Sequence, residues 1–322
     1  MAATKSSITR RRALAGTVGL AGSLAMNVGQ AKDNEHPQPS YNPLAKYPAP
    51  PFKRQSQPWP GLASRMDPPP DHGERTYRGS GRLAGRKALI TGGDSGMGRA
   101  AAIAYAREGA LVAINYFPFE ESDAQEVISY IKAEGRTGVA IPGDLRDERF
   151  CTKLVEDALQ GLGGLDVIVS NAARHEDFDA TMKTNIYAPF WIIKSAPPAS
   201  QTRRLHRRNH IRAGIRSFGG VIRLCADQGG NHELREVTRK AARPPKGIRV
   251  NGVAPGPIWT PLQVSGGATM EKLEKFRGQT VFKRPGQPAE LASIYVQLAS
   301  ADATFATGQI YGGAAVLFLE KQ

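Results

Sequence analysis

The stretch Thr91-Gly92-Gly93-Asp94-Ser95-Gly96-Met97-Gly98 constrains this chain more than any other. It lies between a short apolar run, Lys87-Ala88-Leu89-Ile90, and a segment of helical periodicity from Arg99 to Arg107 that Gly109 ends. A second apolar run, Leu111 to Tyr116, follows. Strand, glycine loop, helix, strand is the order a dinucleotide fingerprint requires. Gly92 turns the chain tightly. Gly96 and Gly98 remove side chains, so that a pyrophosphate reaches backbone N–H groups at a helix N-terminus. The unit predicts an α/β fold with a doubly wound parallel sheet. Its phosphate-binding candidates are Gly92, Asp94, Ser95, Gly96, Met97 and Gly98.

Three regions precede or interrupt that unit. Thr9-Arg10-Arg11-Arg12-Ala13-Leu14 resembles a twin-arginine export pattern, and a Gly/Ala/Leu stretch to Met26 follows, with Gly29 and Ala31 placed for cleavage. Residues 1–31 read as that signal or as a basic tail, and the stretch is too weakly apolar to span a membrane. The signal reading predicts a periplasmic protein, with a cytoplasmic one as the alternative. Residues 32–80 are Pro-rich and predict an extended arm, either a floppy linker or a strap on a neighbouring subunit. Residues 81–322 then form one domain, and roughly 240 residues suffice for a full core. The net charge of +14 suggests a nucleic-acid partner, but residues 195–245 hold 11 Lys/Arg against 3 Asp/Glu, more than half of the excess. The two cysteines, Cys151 and Cys225, make neither a disulfide framework nor a metal site, and Cys151 reads as buried filler in a helix.

The spacing Thr-Gly-x-x-x-Gly-x-Gly resembles the short-chain dehydrogenase/reductase family. Gly143-Asp144-Leu145-Arg146-Asp147, Leu165 to Ala173, Thr184-Asn185, Gly247 to Asn251, Pro255 to Pro261, Arg284 to Pro288 and Thr307-Gly308-Gln309 extend the likeness over about residues 80–195 and 246–312. With the arm, they point to the stress-associated branch similar to glucose/ribitol dehydrogenase-like proteins. The resemblance implies a Rossmann fold, NADP or NAD as cofactor, a small carbonyl or alcohol substrate and a homo-tetramer, with no nucleic acid and no membrane partner once a signal is removed. It implies that Asp144 and Leu145 flank the adenine, that Asn171 and Ala172 line the cofactor and that Asn185 is a structural and catalytic asparagine. It also implies that Pro255, Gly256, Ile258 and Thr260 close over the nicotinamide. Ser170 and Ala173 depart from the family's Asn-Asn-Ala-Gly. At the end of the second strand, Asn115-Tyr116-Phe117 supplies no acid for a ribose hydroxyl. That absence permits NADP, with Arg99 the only evident arginine, while Glu120 and Glu121 read as the cap or start of the next helix.

The family's catalytic serine, tyrosine and lysine are missing. No Tyr-x-x-x-Lys follows the glycine loop, and residues 197–245 contain no tyrosine and one lysine, Lys240. Codon degeneracy offers a cause. Leu224-Cys225-Ala226-Asp227-Gln228-Gly229 can be written CTA TGC GCN GAY CAR GGN, and dropping one base permits Tyr-Ala-x-Thr-Lys. The same shift across Asn209–Ser217 permits a serine near Ile211, at the family's distance from a tyrosine at Leu224 and a lysine at Gln228. Residues 196–245 therefore read as out-of-frame sequence between two compensating slips. The competing reading is a genuine basic insertion, Arg203-Arg204-Leu205-His206-Arg207-Arg208, binding an anionic surface. The connection between Asn171 and Asn185 is also short, and His175 in it reads as an exposed loop residue. Three functions stay open: an oxidoreductase impaired in this chain, an inactive nucleotide-binding remnant, and a basic nucleic-acid-binding module.

Overall fold

The computed structural model describes residues 42–174, 177–196, 213–217 (backbone only), 248–266 and 268–313. The signal, most of the basic stretch, His175 and Cys225 lie outside them.

Among the described residues, seven parallel strands form one sheet in the order β3-β2-β1-β4-β5-β6-β7. They are β1 Lys87–Thr91, β2 Leu111–Tyr116, β3 Gly138–Pro142, β4 Val167–Ser170, β5 Ala213–Ser217, β6 Arg249–Pro255 and β7 Ile310–Gly313. The chain builds outward from β1 to β3, then crosses back to place β4 on the other side of β1. That reversal leaves a crevice beyond the strands' carboxyl ends, where ligands of doubly wound sheets bind. Register makes the crevice level, because Thr91 of β1 pairs with Asn115 of β2 on one side and Ser170 of β4 on the other.

The helices cover both faces of the sheet: α1 Gly96–Arg107, α2 Glu121–Ala133, α3 Glu148–Leu162, α4 Phe178–Met182, α5 Ala188–Ser195, α6 Pro261–Ser265, α7 Met270–Glu274 and α8 Ala289–Ala299. Side chains alternate along a strand, and β1 uses the alternation fully. Ala88 and Ile90 join α1, α2 and α8 in one core, while Leu89 joins α3 and α5 in the other. Cys151 is buried in that second core as expected, and its thiol donates to the Leu145 carbonyl at 3.2 Å. Burial pushes the thiol up to about 12, so it stays protonated.

Residues 42–80 of the arm pack on residues of the same chain rather than running free as a linker. Phe52 stacks on Trp259 with centroids 4.6 Å apart, and Met66, Val264 and Leu273 close that cluster. The Trp259 indole donates to the Pro68 carbonyl at 2.9 Å, and Arg284 donates to the Pro43 carbonyl at 2.9 Å. The basic stretch contributes β5, inserted between β4 and β6.

Candidate functional site

The crevice is lined by the glycine loop (Gly92, Asp94 to Met97), the end of β2 (Asn115 to Phe117), the segment after β3 (Gly143 to Arg146) and the segment after β4 (Asn171 to Arg174). Thr184, Thr260 to Leu262 and Ser265 complete its far side, and Trp59 to Gly61 of the arm form a wall. Gly92 and Gly96 hold φ of 60° and 53°, the left-handed region that favours glycine. A Cβ on Gly96 would meet the Thr260 methyl at 3.2 Å, filling the approach to the α1 N-terminus. Asn171 fixes the loop from behind, donating to the carbonyls of Thr91 at 3.2 Å and Gly92 at 3.0 Å. Its backbone N–H in turn donates to Thr91 Oγ1 at 3.0 Å. Among the described residues, Asn171 Oδ1 is buried with no hydrogen-bond partner. An open anion-binding helix end beside an unmet acceptor fits a dinucleotide's phosphate and ribose.

Of the residues singled out from sequence, Gly92, Asp94, Ser95, Gly96, Met97, Asn115, Asp144, Leu145, Asn171, Ala172 and Thr260 meet in this crevice. Gly98 lies beneath it. A Cβ there would overlap the Gly92 carbonyl and the Asn171 amide, so its role is close packing of helix on loop. Pro255, Gly256 and Ile258 do not join it. Gly256 donates to the Gly313 carbonyl at 3.0 Å, and Ile258 is buried against the core beside Gly286. Gly256 and Ile258 border a separate cavity near Arg284 and Glu290. Asn185 sits in a π-helical turn, Lys183–Tyr187, with its side chain spent on Arg174: Oδ1 accepts from the Arg174 N–H and Nδ2 donates to its carbonyl, both at 3.0 Å.

Arg99, the arginine noted for a 2′-phosphate, is turned away from that task. Only 4% exposed, it pairs with Glu74 of the arm and Glu126 of α2, both at 3.0 Å. The crevice instead holds Arg146 and Arg174, which the sequence reading missed because their place depends on the segments after β3 and β4 both turning over the crevice from strands that are not neighbours. Burial alone would raise the Asp144 carboxyl, but the Arg146 side chain and backbone N–H outweigh it and hold Asp144 below the usual carboxylate range. Asp94 of the loop and Glu120 share a hydrogen bond. Burial first raises both, with repulsion from Asp123 adding to it at Asp94 and repulsion from Asp94 adding to it at Glu120. Glu120 also accepts from the Phe117 N–H at 3.2 Å, the capping role expected of it. Tyr116 is the one tyrosine of the described lining. Its hydroxyl donates to Glu121 at 2.8 Å, and its pKa is raised by burial and then by that carboxylate, the reverse of what a neutral-pH proton donor needs.

A family model described as enoyl-(acyl carrier protein) reductase matches residues 92–312. The chain belongs to the short-chain dehydrogenase/reductase family. It is 45% identical over 286 residues to an uncharacterized oxidoreductase, YghA, of Escherichia coli K12, covering 84% of this chain and 96% of that one. It is 35% identical over 296 residues to the glucose and ribitol dehydrogenase of Daucus carota, covering 83% and 97%. A short chain dehydrogenase from Burkholderia cenocepacia J2315, solved in complex with NADP, superposes with a TM-score of 0.60 at 25% identity, over 72% of this chain and 97% of that one. The fold and the oxidoreductase family read from the glycine loop are thus established for this chain. Among the described residues, no helix is long and apolar enough to cross a membrane.

Proposed function

We propose that the crevice binds NADP(H) or NAD(H) and serves hydride transfer on a small carbonyl or alcohol, and that this chain is impaired in the proton transfer that must accompany it. The observation that carries the binding half is the open N-terminus of α1 at Gly96, framed by Asn171 and Thr260. A bound nicotinamide dinucleotide supplies or accepts the hydride. The chain's own work is to seat phosphates on the α1 N–H groups, to hold the loop through Asn171 and to keep the β4 exit in place through Asn185. What it lacks is the donor. An alkoxide left by hydride addition must be protonated, and a tyrosine does this near neutrality only beside a cation that lowers its pKa. No Tyr-x-x-x-Lys follows the loop, and Tyr116 is pushed the wrong way.

The out-of-frame reading of residues 196–245 supports impairment by a lesion in an otherwise intact frame. The twin-arginine pattern supports export to the periplasm with cofactor already loaded, and the family supports a homo-tetramer. The test compares this chain with one rebuilt in the parent frame from 196 to 245, on small aldehydes and sugars with NADPH and NADH. The rebuilt chain is expected to turn over, and this one to fall at least about 10²–10⁴-fold lower, the usual worth of general acid–base assistance. Equal rates would refute the assignment and make His175 the next residue to replace.

A further inference from the structure

The arm crosses the mouth of the crevice at a defined place. Gln57 N–H donates to the Val264 carbonyl of α6 at 3.0 Å, and Ala63 N–H donates to Asp123 Oδ2 of α2 at 2.6 Å. Between these anchors the Gln57 side chain clamps Leu62, accepting from its N–H at 2.8 Å and donating to its carbonyl at 3.1 Å. The seat is tight, since a Cβ on Gly61 would meet the Pro261 carbonyl and Ser265 Cβ at 3.1 Å. This closed turn presents Trp59 to the crevice. Its ring lies 5.2 Å from that of Phe117, and the Arg174 guanidinium sits over it at 3.8 Å.

We propose that the segment 57–63 is a built-in wall of the dinucleotide site, and that the Trp59–Arg174 stack is the surface on which the cofactor's adenine rests. The inference depends on the cofactor reading above. Position selects the adenine half. Phe117, whose ring faces Trp59, is the first residue past β2, and the adenosine of a doubly wound site lies on that side of the pyrophosphate; Arg174 reaches the ring from the segment after β4. Chemistry agrees, because indole and guanidinium planes both stack on a base without reading its edge. The arm therefore contributes to cofactor affinity as well as to stability.

The test titrates NADPH and NADH calorimetrically into the full chain, Trp59→Ala and Trp59→Phe. In parallel, 5′-AMP and NMNH are read separately by saturation-transfer NMR. Trp59→Ala is expected to weaken both dinucleotides about tenfold, the low end of a base–aromatic stack. It should also diminish transfer to the adenine protons of 5′-AMP and leave NMNH unchanged, with Trp59→Phe close to the parent. Equal dinucleotide binding by Trp59→Ala and the parent would overturn this inference alone. Parallel loss of NMNH, or no rescue by phenylalanine, would also overturn it, showing a ring that supports the fold. No dinucleotide binding by the parent chain would overturn the cofactor reading and this inference together.

Discussion

Glu108 is the residue on which the end of the arm hangs. It is fully buried at the end of α1 and accepts from Tyr77 Oη at 2.6 Å, from the Ser80 and Arg82 N–H groups at 2.9 Å and from the Arg82 guanidinium at 3.1 Å. Burial alone would raise its pKa, but these donors win and bring it from 4.5 down to about 2. A depressed carboxylate stabilises the fold above its unfolded value, and that contribution is lost as pH falls through the folded one. Acid unfolding is therefore expected to draw on Glu108 between pH 4.5 and about 2. Glu108→Gln should cost about 2–3 kcal/mol near neutrality, since it leaves Arg82 half-paired and sets an amide N–H₂ against N–H donors. Urea melts at pH 7 and pH 3 check this. A cost of the same size at both would mean that the charge is not the source. His72 shows the opposite balance: burial outweighs its bond to Glu74 and lowers its pKa, so the ring is neutral inside the arm.

At the scale of elements, the crevice wall is a meeting of the glycine loop with the turn before α2. Asp94 is 1% exposed with one oxygen unmet, and Glu120 and Asp123 share its surroundings. Both Asp94 and Glu120 are raised, so the stability they allow is complete below their unfolded values and declines as pH climbs through the folded ones. Replacing Glu120 by Gln removes the second charge and keeps a group able to cap Phe117. The expected result is a melting temperature that rises relative to the parent at pH 8 and hardly changes at pH 4. A uniform gain across that range would point to packing rather than charge. The arm is also an element in this sense. Phe52 and Met66 bury against Trp259, and side chains of that size contribute about 1.5–3 kcal/mol each.

For the molecule as a whole, the gene decides between a lesion and an insertion. DNA sequence across codons 190–250 is expected to show one slip near 195–198 and a compensating one near 243–246, or a parent frame with Ser, Tyr and Lys restored. A confirmed frame with matching peptides from the protein would remove the slip. Strands β1 and β2, helix α1 and the phosphate loop were legible because their determinants lie within about 30 residues and obey two simple periods. Asn171 and Asp144 were marked by the family resemblance rather than by any local period. The stretch carrying β5 offered no such pattern, since a five-residue strand between two others is specified by its neighbours. The sequence by itself thus determined the glycine loop, the parallel α/β frame and the lack of a Tyr-x-x-x-Lys donor. Tertiary structure alone decided that the arm folds back on its own domain, that Arg99 is consumed by Glu74 and Glu126, and that Pro255, Gly256 and Ile258 stand outside the crevice. It also decided that Trp59 stands at the crevice mouth. The reason is physical: each depends on partners far apart in the chain, such as Phe52 with Trp259 and Ala63 with Asp123, and no local period encodes such a pair.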